Sequence, residues 1–174
     1  VRDQIWYIHQ SSASADAQAL EAFDQANRLD TMENVGKKRS AEGIARMGMH
    51  AWQQTKRWNP DKPVYVAPEN LWVGQYGSHP DEIIKLTKES REEMFKRLEN
   101  QGVNEEEAKR LAKDNIKSTI DIGHLNMWKQ YYKKDNPNIS PQERDKEFKQ
   151  WFIKQTDKMI KEGVVGHIHV SDNF

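Results

Sequence analysis

Short runs of β-branched and aromatic residues alternate in this chain with long polar stretches that carry apolar residues at helical spacing. Apolar runs of about four to eight residues with polar, glycine or proline boundaries are typical of β-strands. The sequence therefore predicts four short strands, at Gln4 to His9, Pro63 to Pro68, Ser118 to Ile122 and Val164 to Val170. Because helical stretches separate them, the pattern indicates parallel strands joined by helical crossovers, which is an α/β fold.

Capping residues mark the expected starts of the helices between these strands. A serine or asparagine side chain accepts hydrogen bonds from the free N–H groups of a helix's first turn. The predicted N-caps are Ser40, Ser78, Asn104 and Ser140. Gly102 is expected to join two helices, and Gly163 is expected to end the last one. The helix after the first cap is expected to bury one face, formed by Ile44, Met47, Ala51 and Trp52.

Composition narrows the possible functions. The 174 residues suit one domain, but 36% hydrophobic residues and a mean hydropathy of -1.01 leave little apolar material for a core. Lysine and arginine (27) balance aspartate and glutamate (27), which argues against charge-driven binding of nucleic acid. No apolar run approaches the roughly 20 residues of a membrane span, so we expect a soluble protein without a membrane partner. The absence of cysteine excludes thiolate ligands and is consistent with the cytoplasm.

Residues that can bind a metal follow every predicted strand. In parallel α/β folds, sites form where the carboxyl ends of neighbouring strands meet. The candidates are His9 after the first strand, Glu69 and Asn70 after the second, Asp121 and His124 after the third, and His167, His169 and Asp172 in or after the fourth. A set of oxygen and nitrogen donors without thiolate suits Zn, Mn, Co or Fe and, with fewer histidines, Mg.

Each of these residues also has a structural explanation. A single histidine near a strand end is more often a structural residue than a metal ligand. A carboxylate at a strand end often caps the next helix, and Asp121 and Asp172 both lie where they can do so. Only the recurrence of such residues after four successive strands favours a metal site.

The chain resembles a superfamily of barrel enzymes that bind divalent metals, in three segments that occur in the order PENLW, IDIGHLN and GHIHVSDN. This superfamily contains the xylose isomerase-like sugar isomerases and epimerases, and also endonuclease IV. The family fold is an eight-stranded (β/α) TIM barrel. The resemblance implies that residues 1–174 form a partial barrel domain, its C-terminal part with about strands four to seven. The first three strands and an eighth strand with a further glutamate would then belong to a longer protein.

The resemblance also implies roles for the candidate residues. Glu69, Asp121 and His169 would bind a divalent cation, which could be Mn, Zn, Co or Mg. Glu69 and His124 would be the catalytic residues, with His124 in contact with the substrate oxygens. The residues expected to line the pocket or lie close to the metal are His9, Asn70, His167 and Asp172.

The implied function is a metal-dependent sugar isomerase or epimerase of cytoplasmic carbohydrate metabolism. It would act on a small sugar or sugar phosphate by moving a proton next to a carbonyl through a metal-bound enediolate. One alternative is an endonuclease IV-like phosphodiester hydrolase, which the neutral charge balance disfavours. Another alternative is an inactive barrel fragment that serves as a binding or scaffold module. The sequence leaves open whether the chain forms a homo-oligomer.

Overall fold

A computed structural model of the chain describes residues 2–58 and 61–171. The structure is 68% helical, and the described residues form one sheet of only two short parallel strands. The prediction of an α/β TIM-barrel fragment containing strands four to seven is therefore wrong. No described helix is both long and apolar enough to cross a membrane. The chain divides into two compact units, Val1–Gly36 and Lys37–Phe174.

The first unit contains helix α1 (Arg2–Arg28) and the first turn of helix α2 (Met32–Trp58). None of the residues of α1 is buried. The predicted strand at residues 4–9 lies inside this helix, so that prediction is wrong. A short apolar run fits a helix as well as a strand, and the alanine-rich segment that follows strongly favours the helix.

The second unit contains the remainder of α2, four further α-helices, a short 3₁₀ helix and both strands. The elements after α2 are α3 (Pro80–Glu99), α4 (Glu105–Asn115), β1 (Ser118–Asp121), α5 (Ile122–Asn126), the 3₁₀ helix (Met127–Gln130), α6 (Pro141–Lys161) and β2 (Val165–His169). Buried side chains of α2, α3 and α4 pack with Ile116 and Ile120 into one hydrophobic core. Gly48 lets α2 approach this core closely, because a Cβ there would lie 2.7 Å from the Ile116 side chain.

Two of the four predicted N-caps are confirmed. Asn104 and Ser140 each accept a hydrogen bond from the backbone N–H three residues later, at 3.0 and 3.2 Å. Ser40 lies inside α2 and does not begin a helix. The cap of α3 is His79 rather than Ser78, because the His79 ring accepts from the backbone of Asp81.

The structure confirms both glycine predictions and most of the buried face predicted for α2. Gly102 lies between α3 and α4, and Gly163 follows the end of α6; both have positive φ, as in the terminal turns of many helices. On α2, Ile44, Ala51 and Trp52 are buried as expected. Met47 is 52% exposed, so the expected face was wrong at that position.

The sheet has fewer strands than the sequence predicts, two among the described residues instead of four. β1 and β2 are parallel, and Asp121 at the end of β1 is paired with His169 at the end of β2. The predicted strand at residues 63–68 runs beside β1 but forms only two isolated parallel bridges, Val66 to Ile116 and Glu69 to Thr119. Prolines at both ends of this segment lack the N–H that a regular ladder needs, which explains why it is not a strand.

Candidate metal centre

Three parallel segments of the second unit end at the same edge and bring three ligand-type side chains together. Glu69 follows the bridge-forming segment, Asp121 ends β1 and His169 ends β2. One ligand atom from each of these residues lies within 4.8 Å of the other two. These residues are 52 and 48 positions apart along the chain, so the packing of the three segments alone creates the cluster.

The distances within this cluster suit a single cation. The His169 Nδ1 atom lies 3.1 Å from Asp121 Oδ2 and 3.8 Å from Glu69 Oε1. A cation about 2.0–2.2 Å from each donor holds neighbouring donors about 2.8–3.6 Å apart, for octahedral or tetrahedral angles. The first distance lies in this range, and a small movement of the Glu69 side chain, which is 38% exposed, brings the second into it. Two carboxylates and one imidazole therefore fit a divalent cation.

The two oxygens of the buried Asp121 carboxylate have different surroundings. Oδ1 accepts hydrogen bonds from the backbone N–H of Gly123 at 2.8 Å, from that of His124 at 3.1 Å, and from the Ser171 hydroxyl. Burial by itself raises the pKa of this carboxyl, but the hydrogen bonds and the nearby His124 imidazole outweigh burial and hold the pKa below its ordinary value. Oδ1 thus caps α5, while Oδ2 faces the histidines as an anionic donor.

Asn70 holds the segment that carries Glu69 against the end of β1. Its side-chain oxygen accepts from the backbone N–H of Asp121 at 2.7 Å, and its side-chain amide donates to the Asp121 carbonyl at 3.1 Å. Asn70 is only 3% exposed, so water cannot easily replace these bonds. The residue thereby sets the position of Glu69 relative to Asp121.

His124 lies beside the cluster, on α5. Its Nδ1 is 2.9 Å from the carbonyl oxygen of Asn70, and since a carbonyl only accepts, Nδ1 carries the proton. In the neutral ring Nε2 then keeps its lone pair, 3.9 Å from Asp121 Oδ2. The Trp72 ring lies against the imidazole, with the ring centroids 4.7 Å apart. His124 is therefore held in one orientation, with Nδ1 on the Asn70 carbonyl and Nε2 towards Asp121.

The other predicted site residues lie elsewhere. His9 is exposed on α1, in the first unit, and not at the end of a strand. His167 is exposed on β2, where it pairs with Thr119, and does not belong to the close cluster found among the described residues. Asp172 lies outside the described residues.

Two residues with a role at this site were missing from the sequence interpretation. Ser171 donates to Asp121, and Trp72 packs on His124. Their signal in the sequence is positional: Ser171 lies two residues after His169, and Trp72 lies three residues after Glu69.

A cavity of about 380 Å³ adjoins this site. Gly123 and Ser171, which both donate to Asp121, form part of its wall. The remaining wall combines apolar side chains with polar and charged ones, which are Ile122, Phe148, Phe152 and Ile153 on one hand and Asn126, Lys129, Asp145 and Lys149 on the other. This mixed lining does not by itself distinguish a sugar from a more apolar ligand.

Comparison with known proteins does not indicate a function, so the geometry of the Glu69, Asp121 and His169 cluster is the main evidence for one. No family model matches the chain, and neither curated proteins nor solved structures include a significant match. The resemblance of the PENLW, IDIGHLN and GHIHVSDN segments to metal-dependent isomerases is therefore a hypothesis that rests on those residues.

Proposed function

We propose that the chain binds one divalent cation, Mn, Zn, Co or Mg, through Glu69, Asp121 and His169. The single observation that carries this proposal is the convergence of their three donor atoms within 4.8 Å. Three protein ligands leave coordination positions for water or substrate, as in catalytic metal sites. Glu69 and His169, at 38% and 54% exposure, leave the cluster open to solvent on one side.

We further propose that this site serves a metal-dependent isomerisation or epimerisation of a small sugar or sugar phosphate in the cytoplasm. The order of the three sequence segments supports this reaction; the fold does not, since it is not a barrel. A bound divalent cation polarises a carbonyl and makes the neighbouring C–H more acidic.

The side chains beside the cluster are suited to that proton transfer. Glu69 is an exposed carboxylate able to accept a proton from the substrate carbon. His124, whose Nδ1 lies 3.5 Å from Glu69 Oε1, orients the substrate hydroxyls and accepts hydrogen bonds at Nε2. Positioning of this kind can supply roughly 7–11 kcal/mol of a reaction barrier.

Metal binding is tested first, by calorimetric titration of the chelator-treated chain with Mn²⁺, Zn²⁺, Co²⁺ and Mg²⁺. We expect one ion per chain and losses of at least about 10–100-fold in affinity for Glu69→Gln, Asp121→Asn and His169→Gln. Asparagine keeps the side-chain oxygen that caps α5, so D121N separates metal binding from folding. The exposed His50 on α2 provides the control variant H50Q, which should bind like the wild type.

The reaction is tested by proton NMR of aldoses, ketoses and their phosphates incubated with the metal-loaded chain in D₂O. Deuterium incorporation at the carbon next to the carbonyl reports proton transfer even without net isomerisation. Exchange that disappears in E69Q and persists in H50Q supports the proposal. Cleavage of abasic DNA without sugar exchange would instead indicate the hydrolase, and absence of metal binding would indicate a non-enzymatic module.

A further inference from the structure

A second, open cavity lies in the second unit between α2 and α3, and two of the residues that line it are arginines. Its volume is about 320 Å³. Arg46, Met49 and Gln53 come from α2, and their spacing of three and four residues places them on one helical face. Arg97, Asn100 and Gln101 come from the end of α3. The wall thus contains two guanidinium groups and three carboxamides, and none of these six residues is acidic.

Neither arginine of this cavity forms an ion pair with a described carboxylate, that is, with one among residues 2–58 and 61–171. Glu93, one turn before Arg97 on α3, binds Lys96 instead, at 2.9 Å. The Nε atom of Arg97 is buried and has no hydrogen-bond partner. Because Nε is closed to solvent while the Arg97 side chain as a whole is partly exposed, a ligand in the cavity would contact the terminal guanidinium nitrogens rather than Nε.

We propose that this cavity, lined by Arg46 and Arg97, binds one phosphate group of a small molecule. A guanidinium keeps its charge throughout the physiological pH range and can donate two parallel hydrogen bonds to a phosphate. The side-chain amides of Gln53, Asn100 and Gln101 can donate to the remaining oxygens.

The electrostatic balance favours an anion here despite the adjacent helix end. The C-terminus of α3, which ends at Glu99, carries roughly half a negative elementary charge and opposes an anion. The two arginines that line the cavity carry two positive charges, more than the opposing partial charge of this helix end. Cavities for small molecules range from about 300 to 1,000 Å³, and this volume lies at the lower end. It therefore suits a compact phosphate ester rather than a nucleotide.

This phosphate site goes beyond the proposed metal function, because it shares no residue with the metal cluster. The test is calorimetric titration of the metal-free 174-residue chain with inorganic phosphate, glycerol phosphate and glycerol at low ionic strength. We expect saturable binding of both phosphates and no binding of glycerol. Arg97→Gln and Arg46→Gln should each weaken phosphate binding about tenfold or more.

Two controls separate a specific site from general charge attraction. Arg110→Gln removes the same charge from α4, where Arg110 already pairs with Asp114 at 3.2 Å, and should leave phosphate affinity unchanged. In the unmutated chain, phosphate should shift the NMR amide signals of Asn100 and Gln101, a readout that does not depend on the stability of any variant. E69Q should bind phosphate normally, so loss of the metal site and loss of this site are distinguishable.

The proposal is overturned if phosphate produces neither heat nor shifts at the end of α3. It is equally overturned if R110Q weakens binding as much as R97Q, or if both cavity variants, shown by circular dichroism to be folded, bind like the wild type.

Discussion

Replacing Asn70 with alanine tests whether one buried amide holds the candidate metal centre together. The substitution removes both hydrogen bonds between the Asn70 side chain and the backbone of Asp121. It leaves the backbone N–H of Asp121 unpaired at a position where the side chain of Asn70 is only 3% exposed, whereas the Asp121 C=O, as the N-cap carbonyl of α5, keeps the first hydrogen bond of that helix. Both stability and metal affinity should therefore fall in the same variant.

The size of the stability loss follows from the unpaired Asp121 N–H. Each buried backbone group that loses its partner costs about 1–3 kcal/mol. The Asp121 N–H has a single hydrogen to donate and loses a short bond, whereas the carbonyl still accepts from the first turn of α5. We therefore expect Asn70→Ala to lower the free energy of unfolding by about 1–3 kcal/mol, a substantial part of the roughly 5–15 kcal/mol typical of a domain.

Urea denaturation followed by tryptophan fluorescence measures this loss. Five of the six tryptophans lie in the second unit, since only Trp6 lies on α1, so the signal mainly reports the unit that contains Asn70. Asn138→Ala is the matched control, because Asn138 is exposed in the loop before α6 and its substitution should stay within about 0.5 kcal/mol of the wild type.

The same variant should bind divalent cations about 10–100-fold more weakly, because the segment carrying Glu69 is no longer tied to Asp121. A stability loss below about 0.5 kcal/mol would show that water replaces the amide and would refute the reasoning. A full stability loss with unchanged metal affinity would show that Asn70 supports the fold without positioning Glu69.

Three further predictions concern the scaffold around the site. Gly48→Ala should lower the free energy of unfolding by about 1–3 kcal/mol, because the added Cβ overpacks the core. Gly43→Ala on the same helix should raise it by about 0.5–1 kcal/mol, because the added Cβ there meets nothing closer than 3.9 Å. Equal effects of the two substitutions in urea titrations would contradict the close approach at Gly48. Ser140→Ala should cost about 0.5–2 kcal/mol as a lost cap, while Ser40→Ala inside α2 should cost nothing, which paired thermal melts check. Leu98→Ala should cost about 2–5 kcal/mol because the side chain is fully buried, and a smaller loss in denaturant titrations would argue against its place in the core.

Local signals in the sequence determined part of the fold. Asn104 and Ser140 could be identified as helix caps because the hydrogen bonds involved join residues three positions apart. The same is true of the glycine turns after α3 and α6. By contrast, an apolar run of six residues fits a helix or a strand equally well, and only the surrounding chain decides between them. The helix at residues 4–9 and the irregular, proline-bounded segment at 63–68 were therefore missed.

The residues of the candidate metal centre could be predicted from the sequence, but their arrangement could not. The sequence by itself determined which residue types follow the segments at 63–68, 118–122 and 164–170, and so identified Glu69, Asp121 and His169 as candidates. Only the tertiary structure decided that their donor atoms meet, because parallel pairing brings together residues about 50 positions apart. It also decided that one Asp121 oxygen caps α5 while the other faces the histidines, since that division depends on hydrogen bonds from three separate donors.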